Sequence, residues 1–126
     1  TFASLSGGKV PQDRKMDGYD LSKVLTEKAV SPRKDFYYWG FAQLHGYRTE
    51  QFKLHIKQRE PVYYGRPTIV LDTPELYDLR ADISEKYDVA MNHPDLVDKM
   101  LHKIDEHLKD VEGSTPDQLV ERLPKK

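Results

Sequence analysis

The sequence contains no cysteine. Within these residues that excludes disulfides, thiolate metal sites and a cysteine nucleophile, and it leaves the compartment open. Long hydrophobic runs are missing too. None approaches the roughly 20 apolar residues that a membrane-spanning helix needs, and no signal-peptide pattern stands at the start. Neither charge dominates. The 20 basic residues face 21 acidic ones for a formal net charge of −1, so the footprint of a protein that binds nucleic acid or an anionic membrane is lacking. There are no internal repeats, no Gly-rich phosphate loop and no Ser/His/Asp order. What is present is 126 residues, 37% hydrophobic and 33% charged. That is enough apolar material for one modest core and too much for a disordered chain.

Thr1–Ser6 followed by Gly7-Gly8 reads as the end of a helix. With no Met at position 1, the expectation is a chain that starts inside an element of something longer. Val10–Gly18 is polar and loop-like, and Asp20 can cap a short helix carrying Leu21, Val24 and Leu25. Asp35–Phe41 is dense in aromatics and predicts a strand. In Ala42–Arg48, Ala42, Leu44 and Gly46 alternate with Gln43, His45 and Tyr47. Gln51–Lys57 alternates more cleanly, Phe52, Leu54 and Ile56 against Lys53, His55 and Lys57, with a tight hairpin at Thr49-Glu50. Gln58–Thr68 holds Pro61, Gly65 and Pro67 and predicts a loop, and Glu75–Leu79 is a further strand after Thr73-Pro74. Leu96, Val97, Met100, Leu101, Ile104, Leu108 and Val111 recur at helical spacing, with Pro94 at the first helical position and Gly113 as the stop. Thr115-Pro116-Asp117-Gln118 carries a capping-box pattern for a second short helix. The sum is an α+β fold: an antiparallel sheet of about four strands, one long C-terminal amphipathic helix packed on it, and short flanking helices.

Three stretches, in order across nearly the whole chain, resemble the C-terminal region of formylglycine-dependent sulfatases of the alkaline-phosphatase-like superfamily. Thr1–Gly8 with Asp17–Leu25 is similar to the family's "PT-x-x-x-LAG … DG-x-DLSP-x-L" passage. Pro32–Tyr38, Gly46–Arg48 and Phe52–His55 resemble "PRKEFFYY … AVR-x-G-x-WKLHF". Glu75–Leu79 with Asp82 and Glu85 resembles "ELYDL-x-x-D-P-x-E-x-x-NL". Glu50 stands where the family commonly has Gly, which would strain a left-handed turn, and Ile83 and Asp88 replace the usual Pro and Asn. The resemblance divides the chain into residues 1–33, a segment leading from a catalytic domain with a short helix near 20–27; residues 34–112, the α+β domain; and residues 113–126, a short helix and tail.

It also implies a parent that hydrolyses sulfate esters of carbohydrates or aryl groups with a formylglycine and a calcium ion. The C/S-x-P-x-R motif and the calcium-binding Asp and Asn motifs are not in this sequence. No catalytic or metal residue is therefore assigned here, and no cofactor is expected in this chain. The expected partners are the N-terminal catalytic domain of the same parent and a sulfated sugar at the pocket rim, with no nucleic acid and no membrane. Family sulfatases are often exported. Two other functions fit the same residues: a stand-alone module binding sulfated glycans, and a fragment of a related phosphonate or phosphate ester hydrolase.

The rim candidates are Trp39, His55, Arg59, Tyr63 and Arg66. Arg suits bidentate oxyanion recognition and aromatics can stack on sugar rings. Each has a plainer reading: His55 as an exposed or interdomain histidine, Trp39 and Tyr63 as packing residues. Tyr37 is read as core. Arg33-Lys34 is a further oxyanion candidate, and Arg48 a structural partner of Asp78 or Asp82. His93, His102 and His107 do not close a metal site and are assigned to a solvated helix face.

Overall fold

A computed structural model of the chain describes residues 1–13, 16–40, 43–59 and 68–112. They form two compact units, Thr1–Phe36 and the remainder from Tyr37. The second short helix expected after Gly113 lies outside the described residues, as do residues 60–67 of the loop expected over Gln58–Thr68.

In the first unit, α1 spans Phe2–Leu5 and α2 spans Ser22–Glu27. The glycine signal at the end of α1 operates as expected: Gly7 takes φ +70° and the Gly8 amide donates to the Ala3 carbonyl at 2.8 Å. Asp20 Oδ1 accepts the Ser22 amide at 2.9 Å, and Ser4 Oγ donates to Oδ2 at 2.6 Å. The Ser4 hydroxyl, with the Ser22 amide, holds the Asp20 carboxyl well below the usual range. The Arg33 guanidinium lies 4.6 Å from the Tyr19 ring centre and 5.2 Å from that of Phe36, and donates to the Asp17 carbonyl.

The sheet is an antiparallel meander in the order β1 (Phe36–Gly40), β2 (Gln43–Arg48), β3 (Phe52–Arg59) and β4 (Thr68–Asp78). Helix α3 (Pro94–Glu112) packs on it, starting at Pro94 with Asp95 in its first turn and Lys109 in its last, signs that complement the helix dipole. The core joins Leu44, Tyr47, Leu54 and Leu76 of the sheet to Met100 and Ile104 of α3. Leu54 and Leu76 are completely buried, each contributing about 1.5–3 kcal/mol by leaving water. Of the predicted helix stripe, Val111 alone is exposed.

Three expectations are corrected. β2 does not alternate strictly. Leu44 and Tyr47 both join the core, and between them His45 and Gly46 line the opposite side. β4 is longer than Glu75–Leu79 and runs through Pro74. Pairing shifts from His55↔Glu75 to Lys57↔Val70, so residues 71–74 oppose Ile56 alone. At such a bulge the missing proline N–H costs no ladder bond. β3 continues through Gln58 to Arg59 rather than ending at Lys57.

The hairpin at Thr49-Glu50 closes without left-handed backbone at Glu50. Thr49 N donates to the Phe52 carbonyl at 2.8 Å, and its own Oγ1 accepts the Phe52 amide at 3.1 Å. The threonine hydroxyl thus completes the turn that a glycine would otherwise serve. Gly46, by contrast, is required: a Cβ there would collide with the Leu54 backbone oxygen on β3. Arg48 donates to the Thr49 carbonyl instead of pairing with Asp78, which is held by Gln51 at 3.0 Å.

Candidate functional site

The face of the sheet turned away from α3 carries a cleft of about 440 Å³. β3 supplies Lys53, His55 and Lys57, the face that its alternation set apart, and also Gln58. β4 adds Tyr77, β1 adds Tyr38, Trp39 and Gly40, and the loop after β4 adds Glu85. Gly40 leaves room for a side chain of β2, since a Cβ at that position would meet His45 Nε2 at 3.1 Å.

Two carboxylates organise the floor. Glu85 takes Lys53 Nζ at 2.7 and 3.0 Å and His55 Nε2 at 2.7 Å. Partial burial pushes its carboxyl up, but the hydrogen bonds and charge of Lys53 and His55 outweigh burial and leave it below the usual range. Glu75 accepts from the Tyr77 hydroxyl at 2.8 Å and from the Gln58 amide. Burial, then the hydrogen bond and charge of Glu75, push the Tyr77 phenol well above its ordinary value. Cross-strand register explains the grouping: Lys53 sits opposite Tyr77 and His55 opposite Glu75. The His55 ring meets Tyr77 edge-on at 5.6 Å, and Lys53 Nζ lies 4.8 Å from the Tyr38 ring centre.

Glu85 is carried by a loop that the acidic residues of the third motif shape. Asp82 Oδ2 accepts the Lys86 and Tyr87 amides at 2.6 and 2.8 Å. Asp88 Oδ1 accepts the Leu76 and Ala90 amides at 2.9 Å. One acceptor oxygen suffices for that role, so Asp can stand where the resembled motif has Asn. Glu85 itself adopts φ +54°.

Of the rim candidates, Trp39 and His55 meet in this cleft. Trp39 is held from the α3 side, where Nε1 donates to His107 Nε2 at 3.2 Å. His107 is thereby removed from the solvated face expected for it, because it also stacks on Tyr37 at 3.8 Å. His102 is exposed as expected, 3.3 Å from Glu106. Arg59 ends β3, but its side chain, like Tyr63 and Arg66, lies outside the described residues. Sequence reasoning missed Glu85, Tyr77 and Lys57 as cleft residues. The signal for Lys57 was its place on the Lys53/His55 face of β3.

The cleft offers lysine ammonium groups, an imidazole, amide donors and aromatic walls, an arrangement suited to holding a polar ligand. Among the described residues, Tyr77 is the cleft hydroxyl bonded to a carboxylate, and its raised proton affinity is the reverse of what activates a nucleophile. No group of three or more His, Asp or Glu among the described residues is placed to hold a metal ion, and no described helix is long and apolar enough to cross a membrane.

Residues 31–124 match the protein family described as the C-terminal region of aryl-sulfatase. An arylsulfatase of Hemicentrotus pulcherrimus is 27% identical over 92% of this chain and 25% of its own length. A solved structure from work on the metabolism of multiple glycosaminoglycans by Bacteroides thetaiotaomicron superposes with a TM-score of 0.65 at 26% identity, covering 90% of this chain and 23% of the other. Another, solved in complex with its substrate D-glucosamine-2-N,6-O-disulfate, gives a TM-score of 0.60 at 25% identity over 94% of this chain and 24% of its own. The chain thus spans about a quarter of the length of these relatives.

Proposed function

The chain belongs to the family of aryl-sulfatase C-terminal regions, and on that premise we propose that it is the C-terminal α+β domain of a protein that hydrolyses sulfate esters of carbohydrates or aryl groups. It is inactive alone; it supports the catalytic domain and contributes to the rim of its substrate pocket. Residues 1–33 connect the two domains, 34–112 form this one, and 113–126 are its short helix and tail. The observation that carries the reading is a match over residues 31–124 to a region that makes up about a quarter of each longer relative.

The rim is proposed at the cleft opposite α3, with His55 facing the ligand, Trp39 at the β1 edge of the cleft, and Arg59, Tyr63 and Arg66 from the segment that follows. Sulfated sugar is the proposed ligand class: a solved relative holds a disulfated glucosamine, and lysine, imidazole and tryptophan are suited to sulfate oxygens and sugar faces. Formylglycine and calcium are proposed for the parent alone. This chain has no cysteine and no C/S-x-P-x-R motif, and its described residues hold no metal-binding group. The two cofactors do not fit here, and no step is routed through them.

The test is a paired assay on an aryl sulfate with calcium, using these 126 residues alone and the parent reading frame co-expressed with a formylglycine-generating enzyme. The expected outcome is turnover by the parent only. Turnover by the 126 residues would sink the reading, and a parent active on phosphonate or phosphate esters but not on sulfate esters would redirect it.

A further inference from the structure

His55 lines the cleft, but one of its two ring nitrogens is already committed. Nε2 lies 2.7 Å from Glu85 Oε2. A carboxylate only accepts hydrogen bonds, so Nε2 must carry the proton of this contact. In the neutral ring the other nitrogen, Nδ1, is then a lone-pair acceptor. In the protonated ring it becomes a donor. The Glu85 carboxylate is itself fixed, because Lys53 Nζ holds both its oxygens, at 2.7 and 3.0 Å. The Tyr77 ring meets the imidazole nearly perpendicular, at 88°. Both partners of Glu85 are largely shielded, with side-chain exposures of 16% for Lys53 and 22% for His55.

Placing Glu85 has a conformational cost. It is one of two non-glycine residues with positive φ among those described, at +54°. A left-handed residue with a Cβ is disfavoured because that Cβ crowds the following carbonyl oxygen. The surrounding loop, with Asp82 accepting two backbone amides just beyond it, holds the chain in that state. Strain kept at a residue whose side chain reaches across a cleft to a histidine is where backbone strain and function coincide.

We propose that Glu85 is a positioning residue: it holds His55 in the Nε2–H tautomer, so that Nδ1 is the ring atom that meets a ligand in the cleft. The ligand half of this statement rests on the sulfated-sugar reading above. The tautomer half does not, and it is read without turnover, so failure of one leaves the other standing.

The experiment is NMR of the 126-residue chain with ¹⁵N in its imidazole rings. The wild-type chain is expected to show the neutral His55 ring protonated on Nε2, that proton protected from exchange, and Nδ1 bare. A neutral ring protonated on Nδ1 overturns the proposal. Glu85→Gly removes the carboxylate while suiting the left-handed backbone. It is expected to abolish the protected Nε2 proton and leave the ring averaging between tautomers, with the sheet amides in place. A protected Nε2 proton surviving that substitution also overturns the proposal. Lys53→Met is expected to retain the proton; its loss there would transfer the positioning role to Lys53. The wild-type ring state decides the tautomer even if a variant does not fold.

Discussion

Strand β3 presents two faces to two different environments. Phe52, Leu54 and Ile56 turn to α3, and Lys53, His55 and Lys57 turn to the cleft. Shielding is considerable on both: Leu54 is completely buried, while the side chains of Lys53 and His55 are 16% and 22% exposed. What holds each face differs. The helix face is held by apolar area and close packing, which are indifferent to pH and intolerant of lost volume. The cleft face is held by pairing, Lys53 and His55 on Glu85, Gln58 and Tyr77 on Glu75. Pairing tolerates a change of volume better than the loss of one partner.

The largest effect should come from the apolar face. Leu54→Ala is expected to lower unfolding stability by about 2–5 kcal/mol, read by urea denaturation with the fluorescence of the single tryptophan, Trp39. A loss under 1 kcal/mol would break the contrast. Gly46→Ala comes next. Its Cβ would strike the Leu54 backbone, and the expected loss of about 1–3 kcal/mol should appear as faster amide exchange along β2 and β3.

Glu85→Gln probes the polar face and should cost about 1–3 kcal/mol through the hydrogen bonds to charged groups that it weakens. It should also reshape the pH dependence. Burial raises the Glu85 carboxyl and its two partners lower it further, so its folded value lies below the ordinary 4.5. A lowered folded value adds stability that is whole above about pH 4.5 and is lost as pH falls through the folded value. Wild type should lose stability in that acid window, and the Gln variant should lose less of it. Leu54→Ala should instead shift the curve evenly at all pH values. The smallest effect belongs to the Arg80–Glu50 pair, whose side chains are 62% and 81% exposed. Breaking it with Glu50→Ala should change stability by no more than about 0.5 kcal/mol.

Much of the fold was legible because local rules carry it. The β3 alternation, the α3 stripe from Leu96 to Leu108, Pro94 at the helix start and the glycines after α1 are each settled within a few residues. β4 was misjudged because Pro74 reads as a boundary, and its bulge exists only against Ile56 of a paired strand. Less of the site was legible. His55 and Trp39 were named singly, but Glu85 comes 30 residues after His55 and enters the cleft only when the loop after β4 folds back. His107 was placed on a solvated face because helix periodicity cannot register that Tyr37 and Trp39 of β1 will cover it.

The sequence by itself determined the strand and helix signals, the two chemistries of β3 and a family resemblance whose second and third motifs lie within the family match. These depend on residues close in the chain or on order along it. Only the tertiary structure decided which carboxylate holds which base, which histidine is covered and where a strand may bulge. Each of those turns on side chains brought within a few ångströms from distant positions, and the spacing of residues along a chain carries no record of that distance.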